Sequence, residues 1–290
     1  QLIDEGVLIE RRDITAYNGY IHPINKILVY NAQVPDGVLN ERLRFEATTF
    51  LPEFINNGFR YLYMNEVSAM NGGGSGARLA FPTDYFDNVV CYNGEQTKLR
   101  YNIKGDYRAY QADAFQGWGQ YDLAVKLPPV PSGIYEFRLF YSPMGHGGMM
   151  QFYYGTSKDV QKMIALSIPL DVRIQETDPR IGWTPFYEED DLGIGTDEAM
   201  RNRGYMRGPY SFCGHPGDDG DTKTTKNSRG DGVVTLRRIL GRVNIKQSEE
   251  FWFRYKNVIN DDSDLKWQLD FVEFVPISVL DNDQYYEDWY

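Results

Sequence analysis

Residues 178–187 gather the most suggestive chemistry in the chain. Asp178 and Arg180 can exchange hydrogen bonds with hydroxyl groups. Trp183 and Tyr187 offer flat apolar faces on which a pyranose ring can stack. Such a combination is a sugar-binding patch. The same residues would equally serve a packed segment in which Trp183 plugs the stretch onto a core. Trp118 is a second indole of this kind, with Gly117 and Gly119 on either side. It either stands exposed for stacking or seals the end of a sandwich.

Other chemistry-bearing groups lack the spacing their reactions require. The acidic run 188–191 is a solvated charge run or part of a calcium site, and calcium needs six to eight oxygens on a shaped loop. The loop Asp218, Asp219, Gly220, Asp221 comes closer but lacks the closing glutamate of an EF-hand. His22, His146 and His215 show no metal-ligand spacing, and His22 falls in an alternating strand. The glycine-rich run 71–76 is not followed by the Lys-Ser/Thr pair of a phosphate-binding loop. Arg229, Gly230 and Asp231 form an RGD tripeptide that borders a strand. No nucleophile elbow, zinc-protease helix or cysteine dyad occurs. The sequence therefore predicts no catalytic residue, no metal and no cofactor, and leaves a glycan-active enzyme with a carboxylate pair as a distant alternative.

Charge narrows the partners. Net charge is −11, so the chain lacks the basic face of a nucleic-acid binder and has no electrostatic reason to dock on anionic lipid. Two cysteines, Cys91 and Cys213, allow one disulfide or two buried thiols. No stretch reaches the ~18 apolar residues of a membrane span. The sequence starts at Gln1 without a signal peptide, so a processed or partial product is expected, with any anchor upstream.

The elements that must carry these residues read as strands. Leu265, Trp267, Leu269 and Phe271 alternate with Lys266, Gln268 and Asp270, which predicts one strand with a buried and a wet face. Similar alternation predicts strands over 42–47, 85–92, 98–103, 122–127, 134–141, 149–154, 233–244, 251–258 and 265–275. The turn 128–133 is compatible with a hairpin joining two of them. Thr49 caps a short helical turn that stops at Asn57 and Gly58. Residues 171–232 break the rhythm as a long irregular insertion, either the place of a site or a packed structural segment. The aromatic share of 15% suits strands and interfaces alike.

Two stretches resemble known families. Residues 13–28, with Asn18, Gly19, Ile21, His22, Lys26 and Leu28, resemble the strand–turn–strand that closes a fasciclin domain, with Pro23 and Asn25 as departures. Residues 119–142 and the closing 265–276 resemble a galactose-binding-like jelly-roll module. Together they resemble secreted Gram-negative lipoproteins grouped as adhesins and associated with Sus-like glycan-uptake systems. The resemblance implies an all-β jelly-roll sandwich over 83–280, after a fasciclin-like remnant over 1–30 and a connector over 31–82. It also implies a place on the extracellular face of the outer membrane, a membrane link only through an upstream anchor, and a surface glycan or an outer-membrane protein complex as partner. The acidic tail 281–290 carries Tyr285, Tyr286, Trp289 and Tyr290, which would fray in water unless docked. They are candidate partner contacts.

Overall fold

The computed structural model describes residues 14–16, 19–21, 41–59, 77–103, 110, 113–143, 147–183, 194–209, 211–213, 225–227, 235–246, 249–259 and 265–280. The chain divides into two compact units, residues 1–38 and 39–290. In the first, β1 (Ile14–Ala16) pairs antiparallel with β2 (Gly19–Ile21), Ile14 opposite Ile21. Gly19 of the Asn-Gly turn signal opens β2, opposite Ala16.

The second unit begins with β3 (Leu43–Glu46) and two short helices, α1 (Ala47–Phe50) and α2 (Pro52–Asn56). Glu46 caps α1, its side chain accepting from the Thr48 amide, whereas α2, the turn expected to be capped by Thr49, starts from Leu51 with no side-chain cap and ends at Asn57. Then come β4 (Ala77–Phe81), β5 (Val89–Cys91), β6 (Thr97–Ile103), β7 (Asp113–Gly119), β8 (Asp122–Lys126), β9 (Gly133–Tyr141), β10 (Met149–Gly155) and β11 (Ile164–Asp171). After α3 (Ile194–Asn202) follow β12 (Tyr205–Arg207), β13 (Ser211–Cys213), β14 (Thr225–Asn227), β15 (Leu236–Ile245), β16 (Trp252–Asn257), β17 (Lys266–Leu269), β18 (Phe271–Pro276) and α4 (Ile277–Leu280).

The architecture is an all-β sandwich. One five-stranded layer runs β11-β10-β16-β8-β5 and the other β12-β15-β9-β18-β3. A four-stranded sheet, β17-β7-β6-β4, and the ribbon β13-β14 complete it. The described strand pairs are antiparallel. The period of two builds the core. From β9, Tyr135, Phe137, Leu139 and Tyr141 point inward. Phe137 meets Phe251 and Phe253 of the facing layer at ring-centroid distances of 5.3 and 5.1 Å, and Phe274 of its own layer at 4.7 Å. Burying rings of this size supplies most of the attraction between layers.

Three expectations need correction. Residues 265–276 are not one half-wet strand. β17 belongs to the four-stranded sheet and β18 to the second layer, and the chain changes sheet at Asp270. Gln268 in the four-stranded sheet and Asp270 at the change of sheet, both read as solvent-facing, are buried, and so is the outward face of the second layer. Phe140 stacks on Phe271 there at 4.5 Å. The Pro-rich segment 128–133 does not close a hairpin: β8 and β9 lie in opposite layers, so it crosses the sandwich. The stretch 171–232 is less irregular than its sequence suggests, since α3 and β12–β14 fall within it.

Candidate functional site

The segment after β11 is built from one device used twice. Asp171 and Arg173 share the same geometry as Asp178 and Arg180. In each, Oδ1 of the aspartate accepts from the backbone N–H of the arginine two residues on, at 3.0 and 2.8 Å. The Nε of that arginine also donates to Oδ1, at 2.8 Å in both, while Nη2 donates to Oδ2 at 2.7 Å in both. An aspartate that bonds the backbone two residues ahead fixes a turn. The bidentate fork then fixes the guanidinium plane. Backbone bonds complete the frame: Asp178 N–H to Gln175 O at 3.0 Å, and Ile181 and Gly182 N–H to Asp178 O at 2.8 and 2.9 Å. Gly182 has φ +75, and a side chain there would run into the Arg203 guanidinium.

These turns enclose an open concavity of about 440 Å3 lined by Asp171, Arg173, Ile174, Gln175, Thr177, Asp178 and Arg180. That size falls in the ~300–1,000 Å3 range of small-molecule sites. Arg180 is 68% exposed along its side chain. The Arg180 fork beside Asp178 holds the carboxyl down to about 2. Arg173 likewise lowers Asp171. Both acids are thus fixed anions near neutral pH, matched by two cations. The lining presents oriented donors and acceptors with no net charge and no group tuned for proton transfer. A second concavity of about 550 Å3 is lined by Phe45, Thr49, Phe50, Asn88, Lys126, Leu127, Pro128 and Pro129, and offers fewer polar groups.

The other sequence-predicted residues are placed as follows. Asp178 and Arg180 are together in the open concavity. Trp183 is 8% exposed and belongs to the hydrophobic core with Ile181, Met200 and Tyr205. The Arg207 guanidinium lies over its ring at 5.6 Å. Trp118 is 5% exposed in β7. Arg100 and Lys266, from the strands on either side, place their cations 4.0 and 4.2 Å from its ring centroid, and its N–H donates to Gln116 at 3.0 Å. Gly119 beside it has φ +81, and a Cβ there would meet the Gln96 carbonyl at 2.5 Å. Both indoles therefore pack rather than face solvent. Tyr187, Tyr285, Tyr286, Trp289 and Tyr290 lie outside the described residues, as do His22, His146, His215, the glycine-rich run 71–76, the acidic stretches 188–191 and 218–221, and the RGD tripeptide. The Cys213 side chain does too, while Cys91 is a free thiol pushed up to about 11 by burial.

Sequence reading missed Asp171, Arg173, Gln175 and Thr177. The signal was there in the second Asp-x-Arg, seven residues before the first one noticed.

Charges are also concentrated inside the protein. Glu273 on β18 has no exposure and takes Arg44 at 2.7 Å, Arg237 at 3.3 Å, Arg42 at 3.5 Å and Arg138 at 3.6 Å. Those arginines drive its carboxyl far below the usual range despite complete burial. Arg138 also bonds Glu136 at 2.7 Å, and Glu136 bonds Arg201 of α3 at 2.9 Å. Beside this network, Asp113 accepts from Tyr101 at 3.0 Å and from Thr48 at 3.1 Å. Asp270 accepts from the Tyr110 amide at 2.6 Å and leaves its Oδ1 buried without a partner. Burial, then the nearby Glu46 carboxylate, raises Asp270 well above the usual range. Among the described residues no cluster of His, Cys, Asp and Glu has the arrangement to hold a metal ion.

No protein-family model, curated protein or solved structure matches this chain.

Proposed function

We propose that the chain is a non-catalytic binding module of a surface protein, taking a neutral glycan in the concavity formed by residues 171–180. The observation that carries this reading is the doubled aspartate–arginine turn. Two rigid forks project oriented donors and acceptors into open solvent, where vicinal sugar hydroxyls can bond both. Ile174 supplies an apolar contact for a ring face. Each charge is already matched, so the site neither requires nor repels a charged ligand. The sequence resemblance to adhesin-type lipoproteins supports a place on the outer membrane, anchored through an upstream segment. It also supports Sus-like systems as the context. The test is a two-dimensional amide NMR titration with neutral oligosaccharides. Shifts confined to Arg173, Thr177 and Arg180 are expected, and a panel without shifts in this segment would overturn the reading.

A second reading makes the chain a structural subunit of an outer-membrane assembly. Ile168, 74% exposed, and Ile164 on the edge strand β11 favour it. The bulge in β11 and Pro169 oppose simple strand addition along that edge. Stoichiometric recovery of a membrane protein from native membranes, lost on Ile168→Asp, would favour this second reading over the first.

A further inference from the structure

The outward face of the first layer carries a second constellation that shares no residue with the 171–180 concavity. Strand register sets Tyr153, Arg254, Ala124 and Val90 in one row across β10, β16, β8 and β5, with Lys256 beside Asp122 in the next row. Asp122 holds Arg254 through a bidentate fork, 2.7 Å on both arms, and Lys256 at 3.6 Å. The Arg254 guanidinium lies between two tyrosines, 4.8 Å from the ring centre of Tyr153 and 5.1 Å from that of Tyr92. Ala124 leaves room for it on the strand between. Tyr92 is pinned in turn, its hydroxyl donating to the Lys158 carbonyl.

Each part of this arrangement is fixed by sheet, by a charged pair or, for Tyr92, by its hydroxyl bond. Two half-buried tyrosine rings therefore flank a cationic floor on a rigid surface. The fork to Asp122 uses Nε and Nη2 of Arg254, which leaves Nη1 without a carboxylate partner among the described residues. Lys256 is 46% exposed along its side chain. At the Tyr92 rim the Lys158 backbone carbonyl takes the hydroxyl, and the Asp159 carboxylate lies near enough to act on it. Two cations, Arg254 and Lys256, share the single carboxylate of Asp122, in a chain whose net charge is −11. Diffuse electrostatics would repel an anion from this protein, so a local cationic slot between aromatic walls selects rather than merely attracts. Five strands spaced ~4.8 Å apart make the face about 19 Å across, long enough for a polymer to lie along it.

From this geometry we infer that the face is a binding platform for an anionic polysaccharide, a chain of sugar rings bearing uronate or sulfate groups. The rings pack on Tyr92 and Tyr153, and the acid group bonds Arg254 Nη1 and the Lys256 ammonium. The reading does not depend on ligand binding in the 171–180 concavity.

The experiment is affinity electrophoresis of the full chain through gels holding polygalacturonate, dextran sulfate or neutral dextran. Folding of each variant is checked by its melting temperature. Stronger retardation by an acidic polymer than by dextran is expected. Polygalacturonate or dextran sulfate as the stronger retarder identifies uronate or sulfate. Tyr153→Ala and Lys256→Gln should each weaken retardation about tenfold, as expected for loss of one ring contact or one charged bond. Arg180→Ala, in the other concavity, should leave it intact. Arg254→Lys, if folded, should behave like Lys256→Gln, since it cannot offer a fork and a free arm at once. Absence of retardation by either acidic polymer, equal retardation by dextran, or retardation unchanged by both Tyr153→Ala and Lys256→Gln would overturn the inference.

Discussion

Glu273 and Asp178 both hold guanidinium groups, and the two sites are opposites in setting. Glu273 sits fully buried on a central strand with four arginines around it. Asp178 holds one arginine on a surface turn. In the interior, the carboxylate has lost its water and the arginines replace it, so the network is costly to break at any one point. On the surface, water screens the pair and its contribution to stability is small. What the surface pair gains is orientation: its backbone and side-chain bonds aim the guanidinium outward at little thermodynamic risk. Buried charge here is architecture, and exposed, rigidly held charge is what is free to recognise a ligand.

The sharpest way to break this comparison is Glu273→Gln. It removes the anion that Arg44, Arg138 and Arg237 share, while Arg138 keeps Glu136, and should cost about 3–5 kcal/mol in a denaturant melt. Trp183→Ala should cost nearly as much, about 3–5 kcal/mol, because the indole is part of the core. A melting temperature unchanged in that variant would instead return Trp183 to a surface role.

These two residues also mark where the sequence stops being readable. Strand periodicity located β6, β10, β16 and the second half of 265–276, because alternation depends only on which face a side chain takes. It could not say that both faces of β18 are covered. Glu273 shares with Phe271 the outward face of β18, and only its cross-strand neighbours, Arg44 on β3 and Arg138 on β9, show that a carboxylate is held there. Those pairings join positions 229 residues apart in the first case. Similarly, Trp118 and Trp183 look like stacking platforms in a linear reading, since glycines and prolines around an indole suggest a loop. The packing that covers them comes from β6, β17 and β12, distant in sequence. The Asp178–Arg180 pair is local, within two residues, and so is the Asp171–Arg173 pair that went unnoticed, so here the spacing was readable and only its repeat was overlooked.

Asp270 sharpens the contrast through pH. Its folded carboxyl titrates well above the unfolded value, so the folded state binds that proton more tightly. Its contribution is greatest below about pH 4 and declines as pH rises toward the raised value, by at most about 1.4 kcal/mol per pH unit. Asp270→Asn mimics the protonated form. Stability measured from pH 4 to pH 8 should fall less steeply in that variant than in the wild type. Glu273 works in the opposite sense: its lowered carboxyl contributes fully above about pH 4.5 and is lost on strong acidification.

The smallest effect on folding is expected at the surface turn. Arg180→Ala should leave the melting temperature within error. Because Asp178 is held down to about 2, ligand binding in the concavity should be flat from pH 4 to pH 8.

The most direct test of the account is isothermal titration of one neutral oligosaccharide, chosen from the NMR panel, into the wild type, Arg180→Ala and Glu273→Gln at a temperature where all three are folded. The account predicts binding by the wild type and by Glu273→Gln, and none by Arg180→Ala. Equal binding by Arg180→Ala and the wild type would contradict it.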